Sequence, residues 1–212
     1  MSKEKSLFTR QFCISVTLIL LLIAPISFTM AGDVEAGKSK SIVCSACHGQ
    51  DGNSMNPLWP SLAGQHKQYT IHTLRAYQNG TRVDAVMQAQ VMALTEQDIE
   101  DIAAYYNAQT MQKKDYDHGL AKKGESLYRG GNASTGVAAC IACHGPTGRG
   151  NPGAGYPSLA GQHAEYTEDA LKGYTNTERK AGLNDMMQSL ATRLTAEEIE
   201  AVSEYIQALG SK

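Results

Sequence analysis

Two pentapeptides carry the most specific chemistry in this chain. Cys44-Ser45-Ala46-Cys47-His48 and Cys140-Ile141-Ala142-Cys143-His144 both read Cys-x-x-Cys-His. Two thiols three residues apart lie on one side of a helical turn. There they can add to the two vinyl groups on one edge of a haem, and the next residue, His48 or His144, falls under the iron as an axial nitrogen ligand. The pattern reads as covalent c-type haem attachment, and its duplication as two haems. Two other chemistries use paired cysteines. Zinc would take all four thiolates or add distant histidines, and a redox dithiol needs neither the histidine nor the duplication. Neither gives a reason for a histidine directly after both second cysteines.

The second axial position decides between electron transfer and catalysis. An iron with side chains on both faces passes electrons, whereas an open position suits oxygen, peroxide or gas chemistry. Methionine thioether as the partner of histidine raises the reduction potential. Seven residues before Leu94 stands Met87, and seven before Leu194 stands Met187. Each falls in a polar or small-residue segment free to drape over a haem face. Met186 and Met92 compete with them, and a lone methionine is more often core filler. Matching positions in a repeat favour Met87 and Met187. His66 and His163 also recur, which makes bis-histidine ligation the alternative. Their place directly after a repeated loop reads instead as helix-start or surface. His72 and His118 do not recur and read as structural or exposed.

The repeat that selects these residues runs along both halves. Pro60-Ser61-Leu62-Ala63-Gly64-Gln65-His66 returns as Pro157-Ser158-Leu159-Ala160-Gly161-Gln162-His163, Tyr69 as Tyr166, and Leu94-Thr95 as Leu194-Thr195. The pattern predicts an all-α chain of two tandem domains, each wrapped around one covalent haem. Residues 32–112 form the first domain, 113–119 a polar linker and 120–212 the second. A short helix leads into each haem motif. A second helix is predicted over about 67–79 and again over about 164–174. The third begins at a capping box, Thr95-Glu96-Gln97-Asp98 or Thr195-Ala196-Glu197-Glu198. Ile99, Ile102, Ala103 and Tyr106 follow at helical spacing, as do Ile199, Val202, Tyr205 and Ile206. No segment shows sustained strand alternation. Gly37 and Gly124, inside the opening helices, are expected where another helix crosses closely, with Tyr105 or Tyr106 and Tyr205 on the crossing helices.

Residues 1–31 read as a secretory leader. Lys3, Lys5 and Arg10 precede an apolar run from Ile14 to Phe28, and Thr29 and Ala31 are small enough for cleavage after Ala31. An uncleaved anchor is the alternative, but the run is shorter than the about 20 residues a spanning helix needs. Export agrees with haem attachment. It leaves four cysteines, all committed to haem, because Cys13 lies in the leader. The leader holds three of the 19 basic and one of the 21 acidic residues, leaving 16 against 20 and a formal balance of −4. There is no basic stripe for nucleic acid, and an electrostatic partner would present a basic face. Apolar content of 42% is slightly low for a globular chain, and two buried haems would supply the missing apolar surface.

These residues resemble the di-haem cytochrome c4 group of the class I cytochromes c. The likeness covers nearly all of the chain after the leader. It includes both Cys-x-x-Cys-His-Gly motifs, Asp51-Gly52-Asn53-Ser54, both Leu-Ala-Gly-Gln segments and Arg129-Gly130-Gly131. The resemblance implies two His/Met-ligated lobes that face each other, in a periplasmic electron carrier, soluble or membrane-associated, that feeds terminal oxidases. It also implies that a proline carbonyl, here Pro60 or Pro157, accepts the proximal histidine's ring N–H. The halves differ at Trp59 against Tyr156 and in a glycine-rich insertion, Gly130 to Gly136, so two distinguishable reduction potentials are expected. The alternatives are an electron-accepting haem subunit of a larger dehydrogenase complex and a di-haem enzyme with one open iron. The second lacks a spare cysteine and meets a matching methionine in both halves.

Overall fold

The computed structural model describes residues 31–176, 179 and 185–210, so the expected leader lies, but for Ala31, outside the described residues. In the first half, α1 (Val34–Lys40) leads into α2 (Ile42–His48), followed by α3 (Lys67–Gln78), α4 (Ala85–Val91) and α5 (Glu96–Asn107). The second half repeats the order as α6 (His118–Gly130), α7 (Ile141–His144), α8 (Ala164–Thr175), α9 (Met186–Ala191) and α10 (Ala196–Leu209), with a 3-10 turn at Pro152–Ala154. Extended pairing among the described residues is limited to two isolated bridges, Asn132 with Val137 and Asn151 with Tyr156. The first of these folds the glycine-rich insertion back on itself. Among the described residues no helix is long and apolar enough to cross a membrane.

Both capping boxes form as the spacing predicts. Thr95 accepts from Asp98 N and Thr195 from Glu198 N, and each acid returns a bond to its cap residue. These boxes satisfy N–H groups that the first helical turn would leave unpaired. Helix α6 starts earlier than the Leu120 that opens the second sequence repeat, because the Asp117 side chain caps Leu120 N.

The long terminal helices α5 and α10 are the frame of each half. α1 crosses α5, and α6 crosses α10. Both crossings occur at a glycine. A Cβ at Gly37 would strike the Asp101 carbonyl and lie 2.9 Å from Tyr105 Cβ. At Gly124 it would strike the Ala201 carbonyl and lie 2.9 Å from Val202 Cα. Of the tyrosines expected on the crossing helices, Tyr105 meets Gly37, and Tyr205 lies on α10, whose Ala201 and Val202 approach Gly124 most closely.

Asp101 locks the first crossing. Its buried carboxylate accepts from Asp33 N, Gln97 Nε2 and Lys40 Nζ at 2.7–2.8 Å. Lys40 also pairs with Asp98 at 2.7 Å. Hydrogen bonds from Lys40 and Thr95 hold the Asp98 carboxyl down at about 2.

The apolar core follows this frame. In the second half Leu127, Tyr128, Leu171, Ile199, Val202, Tyr205, Ile206 and Leu209 form one cluster. In the first half Ile71, Ile99 and Ala103 form one patch and Ile102, Tyr105 and Tyr106 another, with Leu74 and Leu94 touching both.

Two outcomes follow from this packing. Gly37→Ala or Gly124→Ala will lower stability by about 1–3 kcal/mol, overriding the up to about 1 kcal/mol alanine gains in helix propensity. Gly130→Ala, with nothing within 4 Å of the added carbon, will not, and urea midpoints compare the three. A depressed carboxyl stabilises fully above its unfolded value of 3.8 and loses that contribution as pH falls towards about 2. Asp98→Asn will therefore flatten the acid limb of the unfolding profile between about pH 4 and 2.

Candidate functional site

Each Cys-x-x-Cys-His motif ends a short helix whose C-cap glycine, Gly49 or Gly145, turns the chain away at once. The loop that follows returns through a second glycine of positive φ, Gly52 (80°) or Gly148 (71°). The Gly52 carbonyl accepts from Leu62 N and Ala63 N, and that of Gly148 from Leu159 N and Ala160 N. A side chain at either glycine would be strained and would meet the returning backbone. Gly64 N then donates to Tyr106 O at 2.8 Å and Gly161 N to Ile206 O at 3.1 Å. The Leu-Ala-Gly-Gln segment is thus tied both to the haem-motif loop and to the long terminal helix.

This loop brings Pro60 to His48 and Pro157 to His144. His48 Nδ1 lies 2.8 Å from Pro60 O, and His144 Nδ1 lies 3.0 Å from Pro157 O. A carbonyl can only accept, so both Nδ1 atoms carry the proton and both Nε2 atoms keep their lone pair. Both imidazoles are buried. Burial drives their pKa values down, against the pull of the proline carbonyls, which keeps Nε2 available as a neutral-imidazole donor.

The four cysteine side chains are half-buried and joined in no disulfide. Cys44 packs on the Ile102, Tyr105 and Tyr106 patch, and Cys140 on the second-half core. Tyr105 OH reaches Gln50 O, and Tyr128 OH reaches Gly145 O, at 2.8 and 2.7 Å. Each half thus fixes the end of its motif with one core tyrosine.

Of the methionine candidates, Met187 packs against the same apolar cluster as Cys140, whereas its neighbour Met186 is 45% exposed. Met87 is half-buried on α4, its backbone N–H held by the Asp84 cap. Met92 is 62% exposed. The recurrent histidines have another task. His163 Nε2 donates to Ser54 O at 2.9 Å and His66 Nε2 to Arg149 O at 2.7 Å, each in the opposite half. Both residues do start helices, α8 and α3, but His163 is buried rather than superficial. His118 is exposed and lies against the Tyr116 ring.

The match of Tyr69 with Tyr166 extends to two further pairs, Tyr77 with Tyr174 and Arg82 with Arg179, at a single constant offset, a signal visible once the repeat is aligned. Arg82 and Arg179 both donate to Tyr166 OH, at 3.3 and 3.0 Å. Arg82 lies over the Tyr77 ring and Arg179 over the Tyr174 ring. Burial pushes the Tyr166 phenol up, but the two guanidiniums outweigh it and bring it down to about 8. Among the described residues neither arginine has a carboxylate partner, and Arg179 Nε is shut from solvent without an acceptor.

This chemistry fits an iron porphyrin. Each motif sets two cysteines before an imidazole whose Nε2 keeps its lone pair. Zinc fits poorly, since among the described residues no three His, Cys, Asp or Glu side chains gather as a metal site.

Comparison with known proteins agrees. The family model described as Cytochrome c matches residues 34–108 and 121–210. Cytochrome c4 of Thiocapsa roseopersicina is 46% identical over 84% of this chain and 93% of its own. The crystal structure of reduced recombinant cytochrome c4 from Pseudomonas stutzeri superposes with a TM-score of 0.80 at 43% identity, covering 84% of this chain and 98% of that one. A protein of Stutzerimonas stutzeri named thiosulfate dehydrogenase electron acceptor is 32% identical over 81% of each chain. The chain belongs to the cytochrome c family, within its cytochrome c4 group. It carries two covalently bound haem c groups and is a di-haem electron carrier that exchanges electrons with redox partners.

Loss of the shared acceptor tests the arginine cluster. Tyr166→Phe will cost about 1.5–3 kcal/mol, the range for hydrogen bonds to charged groups. Tyr69→Phe, at the repeat mate whose hydroxyl makes no hydrogen bond among the described residues, will cost less, as read from chemical denaturation.

Proposed function

We propose that Cys44 and Cys47 hold the first haem and Cys140 and Cys143 the second through thioether bonds. With haem bound, His48 and His144 would ligate the irons through Nε2, and Met87 and Met187 would supply the second protein ligands. The observation that carries this is the pair of Nδ1–H bonds to Pro60 O and Pro157 O, which hold each proton on the nitrogen away from the iron. The packing of Met187 with Cys140 in one apolar cluster supports the distal assignment.

Bound haem supplies a one-electron Fe(II)/Fe(III) couple at each site. The chain's own work is to keep each imidazole in one tautomer and one orientation, to cover the opposite face with a thioether, and to exclude water. With both axial positions filled by side chains, no substrate bond is made or broken, and the protein is a carrier rather than an enzyme.

The two matched family segments support domains at 32–112 and 120–212 joined by 113–119. The basic and apolar start of the chain supports a leader over residues 1–31 and a periplasmic location, with membrane association depending on its cleavage. A terminal oxidase in the membrane is the acceptor this reading favours. The likeness to proteins named thiosulfate dehydrogenase electron acceptor supports a dehydrogenase as an alternative donor partner.

Optical spectra of the ferric and ferrous protein, with and without carbon monoxide, test the reading. A methionine–ferric charge-transfer band with no carbon monoxide shift is expected. Met87→Ala and Met187→Ala will each make about half the haem carbon monoxide-reactive. A reactive fraction near half in the unaltered protein would overturn the carrier reading in favour of an open iron.

A further inference from the structure

The repeated Pro-Ser-Leu-Ala-Gly-Gln-His loops of the two halves clasp each other. Gln162 Nε2 donates to Ser61 O at 2.9 Å, and Ser61 N donates back to Gln162 Oε1 at 2.9 Å. Reciprocally, Gln65 Nε2 donates to Ser158 O at 2.9 Å, and Ser158 N donates to Gln65 Oε1 at 3.0 Å. Each glutamine also accepts the backbone N–H of the histidine after it, His163 at 3.0 Å or His66 at 2.9 Å. Two N–H donors face each Oε1 and a carbonyl faces each Nε2. A flipped amide would set donor against donor, so the orientation is fixed by its neighbours.

The position of the clasp matters more than its strength. Ser61 N and Pro60 O belong to one peptide group, and Pro60 O is the acceptor of His48 Nδ1–H. Ser158 N and Pro157 O likewise share one peptide, whose oxygen accepts His144 Nδ1–H. The peptide bond is conjugated, so an acceptor at its nitrogen polarises the group and makes its oxygen a better acceptor. Two chains of hydrogen bonds result. One runs His48, Pro60–Ser61, Gln162, and the other His144, Pro157–Ser158, Gln65. Each begins at a histidine of one half and ends at a glutamine of the other, and the two share no bond.

We propose that Gln65 and Gln162 are positioning residues, each tuning the iron ligand of the opposite half through the intervening proline–serine peptide. The proposal rests on His48 and His144 being iron ligands. A stronger acceptor at Nδ1–H makes the imidazole a better donor to iron and favours Fe(III). Gln162 therefore lowers the potential of the first haem and Gln65 that of the second.

The test is a redox titration of the holo-protein by NMR, with haem methyl signals assigned to each half. Gln162→Met keeps the side chain's length but removes the acceptor. It should favour reduction of the first haem roughly threefold, about 28 mV at 59 mV per decade for one electron, and leave the second nearly unmoved. Gln65→Met should do the converse. Gln162→Glu retains an acceptor, now charged, and should shift the first haem in the opposite direction. This sign-sensitive variant keeps the test open if a methionine variant folds poorly. Equal shifts of both haems in every variant, or shifts in neither, would overturn the relay and leave the glutamines as a mere clasp. Unaltered protein without low-spin, histidine-ligated spectra at both haems would instead overturn the ligand assignment, and the relay with it.

Discussion

A neutral imidazole has one N–H and one lone pair, and whatever meets the N–H decides which nitrogen can bind a metal. In both halves a proline carbonyl makes that decision. Much of the surrounding structure serves to put the carbonyl there. The glycine turn after the motif, the paired N–H bonds back to Gly52 or Gly148, and the tie to the end of α5 or α10 all act on the same short loop. The long helices are in turn set by crossings that tolerate no side chain at Gly37 and Gly124.

The two halves reach the same local geometry with different supports. A buried carboxylate, Asp101, gathers the start and end of α1 onto α5. At the start of the second half's opening helix, Glu204 on α10 receives the N–H of Asp117. The tyrosine that fixes the end of the haem motif comes from α5 in one half and from α6 in the other. His144 has the Tyr156 ring 6.2 Å away, whereas Trp59, at the matching place in the first half, is 42% exposed. Different surroundings of one ligand set are the physical route to unequal potentials.

Charge at the contact between halves follows a separate logic. Two guanidiniums converge on the Tyr166 phenol with aromatic rings beneath them. Cations in such a setting are costly without an anion. A tyrosine drawn down to about 8 is a partial answer from the protein itself.

Much of the fold is written in local patterns of the sequence. The two pentapeptides, the capping boxes, the helical periods and the glycines at helix crossings are local patterns, dictated by neighbours a few residues apart in the chain. The proline carbonyls were legible only through the family resemblance, because nothing local says that residue 60 folds back on residue 48. The Tyr-Tyr-Arg repeat was present in the letters, yet its meaning depends on Arg82 and Arg179 meeting at one phenol. The same holds for Gln65, Gln162, His66 and His163, whose polar groups bond across to the opposite half. By itself, then, the sequence determined the helices and the duplication. Only the tertiary structure decided which proton sits on which nitrogen and which half each glutamine touches, because a hydrogen bond depends on distance and direction in space and not on separation along the chain.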